Sequence, residues 1–269
     1  MNALARGSSA SPRAGRASRL VTLADTAASR AGRALVLITL AGLAAFLLAL
    51  AAVALGGRLA PLDGGTASLA RDLARGVPSA AVPVVTDLGA FPTVAGVVLG
   101  AAVALVLRGR PGAAASLVLG LLCVFVTVRL VKDGVGRPRP PGHDALLTTP
   151  SFPSGHAAYA TAWAAVALTL ARVRVGPRSG TPTPPPARAR AAAWARRTAV
   201  AAALLLTLAI GATRLLLDAH YLSDVVGGWG LGASLFALVG LLALAIGPMR
   251  HTEEGDDERS PRGRMETTA

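Results

Sequence analysis

The chain has 269 residues, 53% of them hydrophobic and only 15% charged, with a formal net charge of +13 and a mean hydropathy of +0.55. An ordinary soluble domain of this length has no need of repeated apolar runs long enough to cross ~30 Å of hydrocarbon, so the composition points to lipid as the solvent. A single cysteine, Cys123, excludes a disulfide framework and a Cys/His metal site and reads as a small packing residue in an apolar run.

From the N-terminus, residues 1–33 form a basic tail. Residues 1–19, rich in Ser, Ala, Gly and Arg, read as disordered, and Leu20–Arg33 as a short helix on the membrane surface with Leu20, Val21 and Leu23 as its apolar contacts. The first apolar run, Ala34–Leu55, exceeds the 7–15 apolar residues of a cleaved signal and follows a long basic tail, so it reads as an uncleaved helix. Gly56–Ala90 is an outer loop interrupted by Pro61, Pro78 and Pro83, with a short interfacial helix over Leu69–Leu73. Further apolar runs follow at Phe91–Leu107, Ala113–Val131, Gly155–Val173, Ala199–Leu217 and Val225–Ile246. In lipid each must be a helix, because no water satisfies its backbone amides. The predicted fold is therefore all-α, an integral-membrane bundle of six helices forming one domain over 34–247. Within it, the Pro- and Arg-rich segment 172–197 is a connector, poorly ordered over Gly176–Pro186, and the mixed-charge tail 248–269 reads as disordered. Gly96/Gly100 and Gly228/Gly232 have the small-xxx-small spacing that permits close helix approach.

Arginine is distributed unevenly between the two sides of such a bundle. Segments 1–33, 108–112, 172–197 and 248–269 hold six, two, seven and four arginines, nineteen of the 27 basic residues, against eight for everything else. The positive-inside bias then puts both termini and the connector in the cytoplasm. It also explains the net charge without nucleic acid, for which no basic patch with interleaved aromatics on a soluble element is present.

Three polar clusters sit where apolar runs meet polar ones, and this topology carries all three to the outer face. The first runs Lys132-Asp133-Gly134-Val135-Gly136-Arg137-Pro138-Arg139-Pro140 and contains the chain's one lysine; the second is Pro153-Ser154-Gly155-His156; the third is Thr213-Arg214 with His220 and Asp224. A phosphate monoester carries close to two negative charges and three acceptor oxygens. Lys132, Arg139 and Arg214 can neutralise it, the arginines through bidentate forks. Ser154 and Gly155 open a helix whose free amides and positive dipole end favour an anion. His220, four residues before Asp224, can be held in one tautomer and attack phosphorus with its other nitrogen, while His156 protonates the leaving oxygen and later activates water. These cations do the electrostatic work, so no metal and no other cofactor is expected. His143 and Asp144 read as loop solvation, Asp218 as a structural partner of Arg214 or Arg129, and Arg137 is left without a role.

At these residues the chain resembles the type 2 phosphatidic acid phosphatase family, which shares its phosphate site with the vanadium haloperoxidases. The family pattern, Lys-x6-Arg-Pro, Pro-Ser-Gly-His and Ser-Arg-x5-His-x3-Asp, falls on Lys132, Arg139 and Pro140; on Pro153, Ser154, Gly155 and His156; and on Arg214, His220 and Asp224, with Thr213 where the family has serine. The resemblance implies a bacterial-type membrane lipid phosphatase working through a phosphohistidine, on a substrate such as undecaprenyl diphosphate, phosphatidylglycerophosphate or phosphatidate. The expected site is extracytoplasmic, and its partners are lipids. Two other readings stay open: a phosphatase for a polyprenyl-linked sugar phosphate in envelope synthesis, and a non-catalytic lipid-binding or transport protein that keeps the fold. The pattern leaves the oligomeric state open, a homo-oligomer included.

Overall fold

The computed structural model describes residues 29–56, 60–78, 80–141, 149–172 and 185–246. The expectations for the tail before Ser29, for His143 and Asp144, for the connector over 173–184 and for the tail from 248 lie outside the described residues. Among those described there are eight helices and no strand.

The first helix, α1 (Arg30–Ala54), begins ahead of the apolar run because Ser29 caps it, accepting a hydrogen bond from the Gly32 amide at 2.9 Å. The outer segment holds more helix than Leu69–Leu73: it forms α2 (Ala60–Ala74) and α3 (Ala81–Asp87). Helix α4 (Phe91–Leu107) follows after a 51° bend across Leu88, Gly89 and Ala90. Helix α5 (Pro111–Val135) starts on proline, whose missing amide costs nothing in a first turn, and stops at Gly136, which takes the left-handed φ of 61°. Helix α6 (Gly155–Arg172) is followed by α7 (Pro186–Leu216) and α8 (Leu222–Ile246). Helix α7 starts well ahead of the apolar run Ala199–Leu217, inside the segment read as a connector. From Pro186 to Arg197 the chain is helical, because an Ala- and Arg-rich stretch with proline only at its first turn has strong helix propensity.

Four helices, α1, α5, α7 and α8, are long and apolar enough to cross a membrane, and the bent α3–α4 pair makes a fifth if it counts as one span. The sixth expected span, Gly155–Val173, falls short of that measure. Its helix carries His156, Tyr159, Thr161 and Trp163 in its first half and buries Ala157 through Ala162 within the protein. It contacts α4, α5, α7 and α8 and so packs in the middle of the bundle. The chain is a multi-pass, all-α membrane protein, with leucines such as Leu40 and Leu48 of α1 and Leu130 of α5 exposed on its outside.

Core side chains Val94, Val98 and Leu105 of α4, Val124 and Val128 of α5, and Phe152 just before α6 are almost fully buried. Helix α8 packs against α1 and α6 through glycine. A Cβ on Gly230 would lie 2.6 Å from the Gly42 carbonyl oxygen, and one on Gly228 would lie 2.5 Å from the Ser154 carbonyl oxygen. Only a residue without Cβ lets those backbones meet. At Gly96 and Gly100 the same spacing faces open space and serves no contact.

Candidate active site

The end of α5, the start of α6, the end of α7 and the start of α8 converge, and with them all eight residues singled out by the motifs. Asp224, in the first turn of α8, is completely buried and is the anchor. Its backbone carbonyl accepts from the Ser154 amide at 2.9 Å, which ties the second cluster to the third. Its carboxylate divides its work between two oxygens. Oδ2 accepts from the Tyr221 amide at 2.9 Å and faces His220 Nδ1 at 3.4 Å, while Oδ1 accepts from Arg137 Nη1 at 2.6 Å.

His220 lies in the turn between α7 and α8 and is itself buried. With Nδ1 turned to Asp224, its Nε2 points the other way, 3.4 Å from Arg139 Nη1. Burial pushes the imidazole down to about 4; the hydrogen bond to Asp224 and its charge oppose this in part, and Arg214 and Arg139 reinforce it. The ring is therefore uncharged at neutral pH, with a lone pair on Nε2.

Arg139 is the cation recorded at that nitrogen. Arg139 donates to the Thr149 carbonyl at 3.0 Å, the Thr149 hydroxyl at 3.1 Å and the Ala219 carbonyl at 2.8 Å, and forms no ion pair among the described residues. Burial lowers its pKa and the Asp224 charge offsets part of that. Arg214 is buried, donates from Nη1 to the Thr86 hydroxyl at 2.8 Å, and leaves its Nε with no partner among the described residues. Lys132 Nζ donates to the Pro150 carbonyl and lies 3.5 Å from that of Ser151. His156, in the first turn of α6, interacts electrostatically with Arg214, His220, Arg139 and Lys132, which places it on the same site. At the α6 start the Ser154 amide is already used by Asp224, and its hydroxyl faces the Ala157 amide at 3.5 Å as a weak cap. The Gly155 and His156 amides have no acceptor among the described residues, so the anion-binding amides sit one position later than the motif suggests.

Two residues that the motifs did not flag, Thr86 and Asp63, complete the site. Thr86, at the end of α3, holds Arg214 from 128 positions away. Asp63, in the first turn of α2, accepts from Arg137 Nη2 at 2.8 Å, from the Ser223 amide at 3.0 Å and from the Ser223 hydroxyl at 2.7 Å. Arg137 thus bridges Asp63 and Asp224 while its guanidinium stacks 4.1 Å above the Tyr221 ring. Burial opposes its charge, yet the two carboxylates more than compensate and its pKa is raised. The two Arg-Pro pairs are thereby distinguished: Arg137 pairs with two carboxylates, whereas Arg139 donates only to carbonyls and a hydroxyl. Asp218 pairs with Arg71 of α2 at 3.4 Å rather than with Arg214 or Arg129, because the outer helix lies over its turn and Arg129 stacks on Phe125 instead. Thr213 turns its hydroxyl back to the Ile210 carbonyl at 2.7 Å, away from the other groups.

The family model described as the PAP2 superfamily matches residues 113–246, from the start of α5 to the end of α8. The chain belongs to the PAP2 superfamily. The matched stretch contains every motif residue and leaves out α1 to α4, so Asp63 and Thr86 come to the PAP2 site from outside it. A solved structure described as the first transmembrane PAP2 type phosphatidylglycerolphosphate phosphatase from Bacillus subtilis has the same fold. Its TM-score is 0.62 over 78% of this chain and 99% of that one, at 19% identity. No curated protein sequence matches the chain. PAP2 proteins are phosphatases, and the chain is a membrane protein of that hydrolase class.

Proposed function

We propose that this protein hydrolyses the phosphate of a membrane lipid through a covalent phosphohistidine on His220, without a metal ion. The observation that carries the reading is the orientation of His220, with Nδ1 on a fully buried Asp224 and Nε2 turned towards Arg139. A binding protein needs the cations but has no use for an aligned imidazole backed by a carboxylate.

Substrate phosphate replaces the carbonyl partners of Arg139 and fills the open Nε of Arg214 and the free amides of Gly155 and His156. The Nε2 lone pair forms a bond to phosphorus as the bond to the lipid oxygen breaks. His156 gives its proton to that oxygen; the charge carried in by the substrate favours the protonated ring. Water then attacks the phosphohistidine, its proton passes to His156, the N–P bond breaks, and phosphate leaves. Lys132, Arg139 and Arg214 stabilise the charge on the equatorial oxygens at both transition states, the task a metal performs elsewhere.

Phosphatidylglycerophosphate is the substrate we favour, because the structural neighbour is described as a phosphatidylglycerolphosphate phosphatase, with phosphatidate and undecaprenyl diphosphate next. The nineteen-to-eight asymmetry of basic residues supports a site on the extracytoplasmic side, within reach of headgroups in the outer leaflet. The test is phosphate release by purified protein from these lipids in detergent micelles with EDTA present. His220→Ala and His156→Ala should each lose most turnover, and vanadate should inhibit as a pentacoordinate mimic. Loss of activity with EDTA and its return with a divalent metal overturns the metal-free mechanism, and full turnover by His220→Ala overturns the nucleophile.

A further inference from the structure

Arg137 has no part in the chemistry described above, yet it is among the most firmly held side chains of the site. Its backbone is fixed first: Gly136 turns the chain out of α5 with φ 61°, and the Arg137 carbonyl accepts from the Ser151 amide at 2.8 Å. Its side chain is 17% exposed and reaches Asp224, which is fully buried, and Asp63, which is 13% exposed. Ser223 closes the ring, its hydroxyl accepting from Arg137 at 2.7 Å and donating to Asp63 at 2.7 Å. The contacts on Asp224 are unequal. The oxygen facing His220 lies 3.4 Å from Nδ1, whereas the oxygen facing Arg137 makes a 2.6 Å charge-assisted bond. The carboxylate is aimed mainly by the arginine and the Tyr221 amide, and the imidazole follows the carboxylate.

We infer that Arg137 is a positioning residue for the nucleophile, fixing Asp224 so that His220 presents Nε2 to phosphorus, and that Asp63 holds Arg137 in that role from the outer helix α2. A cation flanked by two carboxylates has no net charge left for a phosphate, so its effect falls on the reaction step and not on substrate binding. Supporting partners of this kind typically change activity by about 10–100-fold. The inference rests on His220 being the nucleophile.

The experiment measures kcat and KM for phosphate release from dioctanoyl phosphatidate in micelles, with melting of each purified variant followed in parallel. Arg137→Ala should lower kcat by about 10–100-fold with KM changed less than about threefold. Arg137→Lys, which keeps a charge but cannot span both carboxylates, should recover part of that loss. Asp63→Asn should lower kcat in the same manner but less, and adding it to Arg137→Ala should cost almost nothing more, since the two act as one unit.

The pH profile supplies a readout that mere structural support would not move. His220 faces Asp224 through Nδ1 and Arg139 through Nε2, and Arg214 and His156 act on it electrostatically. Removing Arg137 leaves the Asp224 charge unshared, which favours the protonated imidazole and moves the acid limb of kcat to higher pH. A raised KM with unchanged kcat would make Arg137 a substrate cation and overturn the inference, as would wild-type kinetics in Arg137→Ala. If that variant does not fold, wild-type kcat and an unmoved acid limb in both Arg137→Lys and Asp63→Asn overturn it equally. Turnover surviving in His220→Ala refutes the underlying mechanism instead, whatever Arg137 does.

Discussion

Arg214→Lys isolates the one buried side-chain donor that the protein leaves open among the described residues. Arg214 is 8% exposed and its Nε has no partner there, although such a group left unsatisfied costs about 1–3 kcal/mol. The fold tolerates that cost if a ligand satisfies the group. Lysine keeps the charge and can reach Thr86 but loses the fork, and a hydrogen bond to a charged group contributes about 1.5–3 kcal/mol, or roughly 10–150-fold in affinity for an oxyanion. At the transition state the loss should be larger, about 2.7–4 kcal/mol or 10²–10³-fold in turnover. The assay is thermal unfolding in detergent with increasing vanadate. A ligand at 100 times its Kd stabilises the wild type by about 2.7 kcal/mol, and the midpoint of that response should move to higher vanadate by the factor above in Arg214→Lys. Equal vanadate stabilisation in the two proteins, with turnover within threefold, would show that the open Nε is not waiting for phosphate.

Packing, titration and orientation give three more expectations. Gly228→Ala places a methyl 2.5 Å from the Ser154 carbonyl and should destabilise by about 1–3 kcal/mol while pushing Ser154 away from Asp224, whereas Gly100→Ala faces open space and should stabilise by about 0.5–1 kcal/mol, both read by melting temperature. His220 titrates at about 4 in the folded protein against 6.5 ordinarily, so its contribution is intact above 6.5 and lost as pH falls from 6.5 through 4, amounting to about 3 kcal/mol. Melting at pH 8, 6 and 4.5 should show that loss in the wild type and not in His220→Gln; parallel curves would refute it. In a Cys123→Ala background, an impermeant thiol reagent on intact cells should label Arg75→Cys of the outer segment, and should label Arg190→Cys of α7 only after lysis. The opposite pattern inverts the orientation.

What can be read from the chain and what cannot divide along the range of the interactions. Apolar runs and the spacings Lys132 to Arg139 and His220 to Asp224 are local patterns, and the helices and the two motif halves follow from them. The apolar run Ala199–Leu217 understates its helix, which starts at Pro186 because the Ala- and Arg-rich stretch before the run has strong helix propensity. That the first half of Gly155–Val173 packs inside the bundle is not legible from its apolar run, because alanine scores as apolar whether it faces lipid or a neighbouring helix. Asp63 and Thr86 carry no motif, and they meet Ser223 and Arg214 across 160 and 128 positions. Nothing near them in sequence distinguishes them from loop polar residues, and only the folding of the outer segment over the site does so. The partner of Asp218 is unreadable for the same reason, Arg71 being 147 positions away.

Lys132 has a practical consequence. It is the sole lysine of the 269 residues, and its amine is held on the carbonyls of the Pro150–Ser151 turn within the site. Apart from the chain terminus, an amine-selective acylating reagent therefore has one side chain to modify, and that side chain lies in the candidate site. The extent of acylation becomes a direct occupancy gauge: a bound oxyanion should shield the amine, and one mass increment counts the unprotected fraction. A lysine-specific protease has only the bond after residue 132 to cut. It would cut within the last turn of α5, parting Lys132 from the rest of its motif, and would yield two fragments whose co-purification would measure how firmly the helices hold together without a covalent link.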